Sequence, residues 1–209
     1  RAQPFSRGRL DDFDEMPEDI ANQGDALSLM RGRDASFAAY GEIKIYINST
    51  PKRGKNRGIE ALVAQGTDER LYVDCLQCAA PFALYIDRLN YDKNGSTADA
   101  AASASVVCPD CGYPHRQADK RALMATFRWV GRGETAVSRA IDPNGKTGAL
   151  EANNRASFRF DGLFGMRPWA NIAEKAREAE IRFEIEQDDA ALKTFDQTIA
   201  GRNYVPRGA

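Results

Sequence analysis

The chain has 209 residues, of which 43% are hydrophobic and 28% charged, and its formal net charge is −1. A chain of this length can bury a substantial core in one or two domains. The near-zero charge argues against a protein that coats nucleic acid through bulk electrostatics, so DNA contacts are expected only from local basic patches. No apolar run approaches the ~20 residues of a membrane span, and no signal-peptide pattern opens the chain. The composition therefore predicts a protein of a reducing cytoplasm with no membrane partner.

An acidic doublet, Asp11-Asp12, lies near the start of the chain. It follows Leu10 in the manner of a Walker B segment, where one carboxylate holds Mg²⁺ through water and the next polarises the attacking water. Residues 6–9 are polar, however, and lack the apolar run expected of a buried parallel strand. A solvated acidic face is the alternative interpretation of the doublet.

A helix is predicted over residues 23–39 and an alternating strand over 43–47, followed by Ser49-Thr50-Pro51. A strand that ends in these two hydroxyl residues could place them near a γ-phosphate, although a simple strand-ending turn is the alternative. The next segment is a basic loop with four cations: Lys52, Arg53, Lys55 and Arg57. It has no interleaved aromatic residues for base stacking, but it could contact DNA phosphates. A solvated loop is the alternative.

All four cysteines fall in two CxxC pairs, Cys75 with Cys78 and Cys108 with Cys111. A tetrahedral zinc ion takes four thiolates, and each CxxC turn presents two sulfurs to one metal. The long separation of the pairs favours a small β zinc ribbon over a helix-bearing finger. Two disulfides, an iron site and free core cysteines are the alternatives. The single histidine, His115, is expected beside the site or at the surface, because four thiolates already complete the ligand set.

The remaining segments alternate between short strands and helices. A short helix is predicted around 59–65, and residues 92–105 are predicted to be a loop. Other strands are expected near 71–73, 82–85, 127–130 and 157–160, and other helices near 118–124, 169–187 and 189–199. Residues 140–147 match a permissive phosphate-binding loop, but the flanks lack the strand and helix that such a loop requires, so a chance match is predicted.

Taken in order, these motifs resemble the large subunit of a tailed-phage terminase of the lambda-like GpA family. The segments that carry the resemblance span most of residues 10–200 and are LDDFDEMPEDI, QGDALSLMRGRDASF, IKIYINSTPKRGKNRGIEAL, ERLYVDCLQC, VVCPDCGYPHRQADKRALMATFRWV and FRFDGLFGMRPWANIAEKAREA. The resemblance implies an α/β fold, a partial P-loop NTPase core of the RecA/ASCE type with an inserted small β zinc ribbon. It implies residues 1–68 as the end of the ATPase domain, 69–131 as the ribbon insertion, and 132–209 as a return to the core with a helical linker toward a nuclease.

The resemblance also implies roles for individual residues. Asp11 would coordinate magnesium, and Asp12 stands where the family usually has the catalytic glutamate. Because an aspartate is one methylene shorter, either catalysis is weakened or Asp14 or Glu15 contributes. Ser49 and Thr50 would be the coupling motif that senses nucleotide state. The four cysteines would hold a structural Zn²⁺.

At the level of function, the resemblance implies a parent protein that uses ATP and Mg²⁺ to package double-stranded viral DNA into procapsids and that cuts this DNA as an endonuclease. Its partners would be the terminase small subunit, the portal and procapsid, and further copies of itself in a homo-oligomeric motor in the bacterial host cytoplasm. The chain is expected to be a fragment, from phage or prophage, that alone neither hydrolyses ATP nor cleaves DNA. A non-catalytic zinc-ribbon module that binds DNA or a protein is the alternative, and a rubredoxin-like redox protein is a third.

Overall fold

The computed structural model describes residues 5–38, 41, 43–137 and 155–206. These residues form a mixed α/β structure with several small sheets. The chain divides into two compact units, Arg1–Ala61 and Leu62–Ala209. The division into three domains with boundaries after residues 68 and 131 stays a prediction. The match to a phosphate-binding loop at residues 140–147 lies outside the described residues.

The first unit contains a two-stranded parallel sheet, β1 (Arg7–Leu10) and β2 (Lys44–Ile47), joined through α1 (Ala26–Ala38). The strands pair in register from Arg7 opposite Lys44 to Leu10 opposite Ile47. The strand at β1 forms despite its polar sequence because its side chains alternate. Arg7 and Arg9 are exposed, whereas Leu10 is buried.

A short 3-10 turn, Phe13–Glu15, follows β1, and α2 (Gly58–Ala64) begins in the first unit. Phe13, Leu10 and Leu27 are each at most 7% exposed and supply the unit's small apolar core. Their burial removes most of their apolar surface from water, which is the main stabilising contribution of such a core.

The second unit contains two small sheets. In the first, β3 (Glu69–Asp74) lies between β4 (Pro81–Ala83) and β8 (Arg128–Val130) in antiparallel pairing, and β9 (Phe158–Arg159) pairs with β3 in parallel. The second sheet is antiparallel in the order β5 (Leu89–Asn90), β6 (Ser105–Val107) and β7 (Pro114–His115). The cysteine pairs connect β3 to β4 and β6 to β7.

Four helices complete the described part of this unit: α3 (Thr97–Ser103), α4 (Lys120–Met124), α5 (Trp169–Glu186) and α6 (Ala190–Thr198). The expectation of a continuous loop over 92–105 is wrong because α3 lies within it. Ser96 caps this helix by accepting the Asp99 N–H, and Asp99 accepts the Ser96 N–H in return, which satisfies two otherwise unpaired donors.

Both sheets and α5 share one apolar core. Trp169 at the start of α5 is completely buried and donates its indole N–H to the Leu163 carbonyl at 3.1 Å. Two of the cysteines, Cys75 and Cys108, belong to the same core. The cysteine-bearing strands and the C-terminal helices are therefore packed together. Within the described ranges, no helix is both long and apolar enough to cross a membrane.

Candidate metal centre and the ends of the parallel strands

The two CxxC turns have the same backbone structure. Cys75 donates its N–H to the Ala80 carbonyl at 2.9 Å, and Cys108 donates to the Tyr113 carbonyl at 3.0 Å. In each turn the residue four positions after the first cysteine donates back to that cysteine's carbonyl, Ala79 at 2.9 Å and Gly112 at 3.0 Å. These two residues have left-handed φ angles of 59° and 73°. Each turn thereby curls back on itself and directs its two sulfurs to one side.

The four sulfur atoms lie within 4.8 Å of one another. Cys75 Sγ is 3.6 Å from Cys111 Sγ, and Cys78 Sγ is 3.9 Å from Cys108 Sγ. A tetrahedral zinc ion with Zn–S bonds of about 2.3 Å places its sulfurs roughly 3.8 Å apart. The cysteines are all free, so none of them is in a disulfide. The donor set and its spacing therefore fit a four-thiolate metal ion.

The cysteines differ in exposure. Cys75 and Cys108 are 2% and 1% exposed, whereas Cys78 and Cys111 are exposed. Burial raises the pKa of the Cys75 thiol to about 12, while the backbone N–H of Ala80 lowers the pKa of Cys78. A divalent cation among the four sulfurs would reverse the effect at Cys75, because coordination stabilises the thiolate.

His115 is completely buried next to the first cysteine turn. Its Nε2 accepts the Leu76 N–H at 3.2 Å, and its Nδ1 lies 3.0 Å from the Val106 carbonyl oxygen. A carbonyl can only accept, so Nδ1 carries the proton in this arrangement. The ring also contacts Tyr113 edge to face at a centroid distance of 5.0 Å. His115 thus links the turn that carries Cys75 and Cys78 to strand β6 of the second sheet.

In the first unit, the predicted Walker B and coupling residues lie at the same edge of the parallel sheet. Asp11 and Asp12 follow β1, and Ser49 and Thr50 follow β2 by two and three residues. Asn48 connects the two strand ends, because its side-chain amide donates to Asp11 Oδ1 and its backbone N–H donates to the Leu10 carbonyl at 3.0 Å. Ligands of open parallel sheets bind at the carboxyl ends of the strands. Sequence reasoning missed Asn48, although its position directly after β2 was a usable signal.

Asp12 has a left-handed backbone with φ 51° and an exposed side chain. Aspartate is one of the few non-glycine residues that adopt this conformation readily as a single residue in a turn. Asp11 is also exposed and forms an ion pair with Arg9 at 3.1 Å. The Asp12 carboxylate is therefore open to a cation from solvent, whereas a cation at Asp11 would have to displace or share its partners Arg9 and Asn48.

Asp14 has a different environment. It is 7% exposed, and its carboxylate accepts three backbone N–H groups, from Lys52 at 2.8 Å, Arg53 at 3.3 Å and Ile59 at 2.7 Å. Its own N–H donates to Ser49 Oγ at 2.9 Å. Asp14 therefore fixes the backbone of the basic loop. These contacts give Asp14 a structural role, and the alternative that Asp14 or Glu15 compensates for the shorter Asp12 stays a prediction.

Three of the four loop cations already have partners from residues 13–18. Lys52 forms an ion pair with Glu15, and Arg57 forms one with Glu18. Arg53 donates to the carbonyls of Asp14 and Met16 and lies 5.6 Å from the Phe13 ring centroid. Lys55 is exposed. The loop therefore presents less uncompensated charge than its sequence indicates.

Comparison with known proteins identifies the class of the chain. The family model described as "Phage terminase large subunit gpA, ATPase domain" matches residues 1–129. The chain belongs to this family, which confirms the resemblance predicted from its motifs and places it among proteins of phage DNA packaging. No curated protein and no solved structure matches the chain.

Proposed function

We propose that the chain supplies part of the nucleotide-responsive centre of a terminase large subunit, the ATP-driven motor that packages double-stranded viral DNA into procapsids and cuts it. The observation that carries the proposal is the convergence of Asp11, Asp12 and Asn48 at the carboxyl ends of two parallel strands. Together with the family membership, this arrangement favours a site for Mg²⁺ and ATP at that edge. The P-loop-type core of the parent protein belongs to the same proposal.

Asp11 would hold the Mg²⁺ of the nucleotide through water, with the Asn48 amide orienting its carboxylate. Asp12 would accept the proton of the attacking water or polarise it, and its side chain is exposed at this edge of the sheet. Mg²⁺ would supply charge neutralisation for the phosphates. Ser49 connects this edge to the loop, because its hydroxyl accepts the Asp14 N–H. The pair Ser49 and Thr50 is therefore proposed as the coupling motif.

The second unit would contribute a zinc ribbon. Cys75, Cys78, Cys108 and Cys111 would hold Zn²⁺ in a closed site, which gives structural stabilisation and leaves no open position for chemistry. The basic loop of Lys52, Arg53, Lys55 and Arg57 is proposed as a DNA contact. The terminase small subunit, the portal and further copies of the motor in the host cytoplasm are the proposed partners.

Manganese binding tests the proposed Mg²⁺ site in the chain itself. Titration with Mn²⁺, followed by water-proton relaxation, is expected to reveal a site that Asp11→Asn weakens at least several-fold and that Mg²⁺ displaces. Glu174→Gln, which removes one exposed negative charge from α5, is the matched control and is expected to bind like the wild type.

Equal Mn²⁺ binding by wild type and Asp11→Asn would contradict the site and favour the non-catalytic zinc-ribbon module. ATP turnover by the chain is expected to remain at the Asp11→Asn level, because the residues proposed for this site, Asp11, Asp12 and Asn48, include no group that binds the nucleotide phosphates directly. Turnover above that level would show that the chain carries a complete catalytic centre.

A further inference from the structure

The first cysteine turn has a backbone donor that is directed out of the turn. Within the turn, the Gln77 N–H donates to Cys75 Sγ at 3.4 Å, and the Ala79 N–H donates to the Cys75 carbonyl at 2.9 Å. The Leu76 N–H instead donates to His115 Nε2 at 3.2 Å. His115 belongs to β7 and lies 39 residues further along the chain. The hydrogen bonding of the first turn is therefore completed by a side chain from a distant strand.

The second cysteine turn has a different residue at the equivalent position. Leu76 follows Cys75, whereas Pro109 follows Cys108. Proline has no N–H group, and its ring restricts φ to about −65°. The second turn therefore needs no acceptor at this position, because covalent structure already restrains it there. The first turn has the same backbone hydrogen bonds but obtains the corresponding restraint from His115.

The contacts of His115 fix the position of its ring. The side chain is completely buried, and Nδ1 donates to the Val106 carbonyl at 3.0 Å. The ring also contacts those of Phe82 and Tyr113, at centroid distances of 5.9 Å and 5.0 Å. Because Nδ1 carries the proton and Nε2 accepts the Leu76 N–H, neither nitrogen has a lone pair left for a metal ion. His115 is therefore placed to hold the turn and not to coordinate the metal.

We propose that His115 is a positioning residue for the metal centre: its Nε2 holds the Leu76 N–H and so keeps Cys75 and Cys78 in the geometry that zinc requires. The proposal rests on the proposed zinc ribbon, and it assigns part of the zinc affinity to a residue that is not a ligand. Ligands on a turn that is already in place lose less conformational freedom when the metal binds. Groups that orient the ligands of a metal typically account for roughly 10- to 100-fold of its affinity.

Two variants of His115 separate its two hydrogen bonds. In His115→Gln, the side-chain oxygen can lie near the position of Nε2 and accept the Leu76 N–H. In His115→Asn, the shorter side chain can reach the Val106 carbonyl but not Leu76. Both variants remove the imidazole ring and its packing, so each is the matched control of the other. Zinc affinity, measured in competition with a chromophoric chelator, is expected to fall by at least about tenfold in His115→Asn and by much less in His115→Gln.

A third variant tests the donor. Adding Leu76→Pro to His115→Asn gives the first turn the residue type of the second and removes the N–H that has lost its acceptor. Removing both partners of a hydrogen bond costs much less than leaving one of them unpaired. The double variant is therefore expected to bind zinc more tightly than His115→Asn alone. If His115→Asn does not fold, recovery of folded, zinc-binding protein in the double variant is the expected result.

Cobalt in place of zinc reports the ligand set. The absorption spectrum of a tetrahedral four-thiolate site is expected in the wild type and in every variant that binds cobalt, because His115 is not a ligand. A spectrum that changes when His115 is replaced would identify it as a ligand and overturn the proposal.

The remaining outcomes separate this proposal from the zinc ribbon itself. Equal losses of affinity in His115→Asn and His115→Gln would overturn the positioning role, since they would assign the effect to ring packing. Wild-type affinity in His115→Asn would also overturn it, as would a double variant no better than His115→Asn. In these three cases the wild type still binds zinc, and the proposed zinc ribbon stands. A wild-type chain that binds no zinc would overturn the zinc ribbon and the role of His115 together.

Discussion

Gly58 lies so close to the carboxylate of Asp14 that a Cβ at Gly58 would overlap Asp14 Oδ1. Gly58 also has a left-handed φ of 59°. A glycine is therefore required there both by backbone conformation and by the space that Asp14 occupies. Because the same carboxylate accepts the N–H groups of Lys52, Arg53 and Ile59, this close approach joins the segment after β1 to the entire basic loop.

Gly58→Ala is expected to destabilise the first unit by about 2–4 kcal/mol. The alanine would have an unfavourable left-handed backbone, its Cβ would overlap the Asp14 carboxylate, and the hydrogen bonds of that carboxylate would be disturbed. Hydrogen exchange at the Lys52 and Ile59 amides measures the effect directly. Gly54→Ala is the matched control, because Gly54 has φ 84° and nothing within 4 Å of an added Cβ. It is expected to lose only roughly 1–2 kcal/mol. Equal loss of protection in both variants would contradict the role of Asp14.

Neutralising the glutamates that pair with the basic loop is expected to raise DNA affinity. Glu15→Gln/Glu18→Gln releases Lys52 and Arg57 from their ion pairs, and each cation that reaches a phosphate steepens the salt slope by about 0.9. The measurement is duplex binding across a salt series. Glu174→Gln/Glu186→Gln changes the net charge equally at two exposed positions of α5 and serves as the control. The same gain in both variants would mean that the glutamates act only through net charge.

The sequence predicted most elements of both units, because local signals determine them. The strand β2 alternates, Pro168 precedes α5, and the cysteine spacing places two sulfurs on each turn. The missed helix α3 had a local signal as well, the capping pair Ser96 and Asp99, but the surrounding Asn, Gly and Ser residues favoured a loop.

Contacts between distant segments could not be predicted in this way. The four loop cations appeared available for DNA, yet the partner of Lys52 is Glu15, 37 residues earlier in the chain. Likewise, the acidic sequence of residues 11–15 gave no indication that Asp14 is buried while Asp11 and Asp12 are exposed. Such differences depend on how the chain folds back, and charge patterns alone do not contain that information.

Removal of metal is expected to destabilise the second unit as a whole, because Cys75 and Cys108 belong to the core that also contains Trp169. Cys78→Ser changes an exposed ligand and should lose metal without altering the core, whereas Cys108→Ser should lose metal and core packing together. The measurements are zinc content by elemental analysis and urea unfolding followed by fluorescence of Trp129 and Trp169. Chelation that leaves the wild-type transition unchanged would contradict a structural metal. A bound iron in place of zinc would favour the redox alternative.

The two cysteine turns are expected to respond oppositely to exchange of glycine and alanine. Ala79→Gly relieves a left-handed alanine and should stabilise the unit by up to about 1 kcal/mol. Gly112→Ala introduces the same strain in the other turn without a steric clash, since nothing lies within 4 Å of the added Cβ. It should cost about 1–2 kcal/mol. Urea unfolding of the zinc-loaded proteins measures both. A lack of stabilisation by Ala79→Gly, a lack of destabilisation by Gly112→Ala, or loss of zinc from Ala79→Gly would contradict the equivalence of the turns.

Asp161 is expected to make the second unit less stable as pH rises toward neutrality. Burial raises the pKa of its carboxyl to about 6. The N–H groups that Leu163 and Ile86 donate to the carboxylate lower this pKa, but their effect is smaller than that of burial. The folded state therefore holds a proton more tightly than the unfolded state, where the pKa is near 3.8. The stability that the folded state gains from this tighter proton binding is fully present below about pH 4. It is lost as the pH rises through about 6.

Asp161→Asn removes this titration. Between pH 5 and pH 7, the stability of the wild type relative to the variant should fall by about 1 kcal/mol. Comparing the two proteins at each pH cancels the pH dependence of metal binding, which both share. The measurement is urea unfolding by tryptophan fluorescence, with Glu186→Gln as a control variant that removes an exposed carboxyl from α5. A wild-type advantage that grows with pH would show that the two N–H donors outweigh burial and stabilise the charged carboxylate.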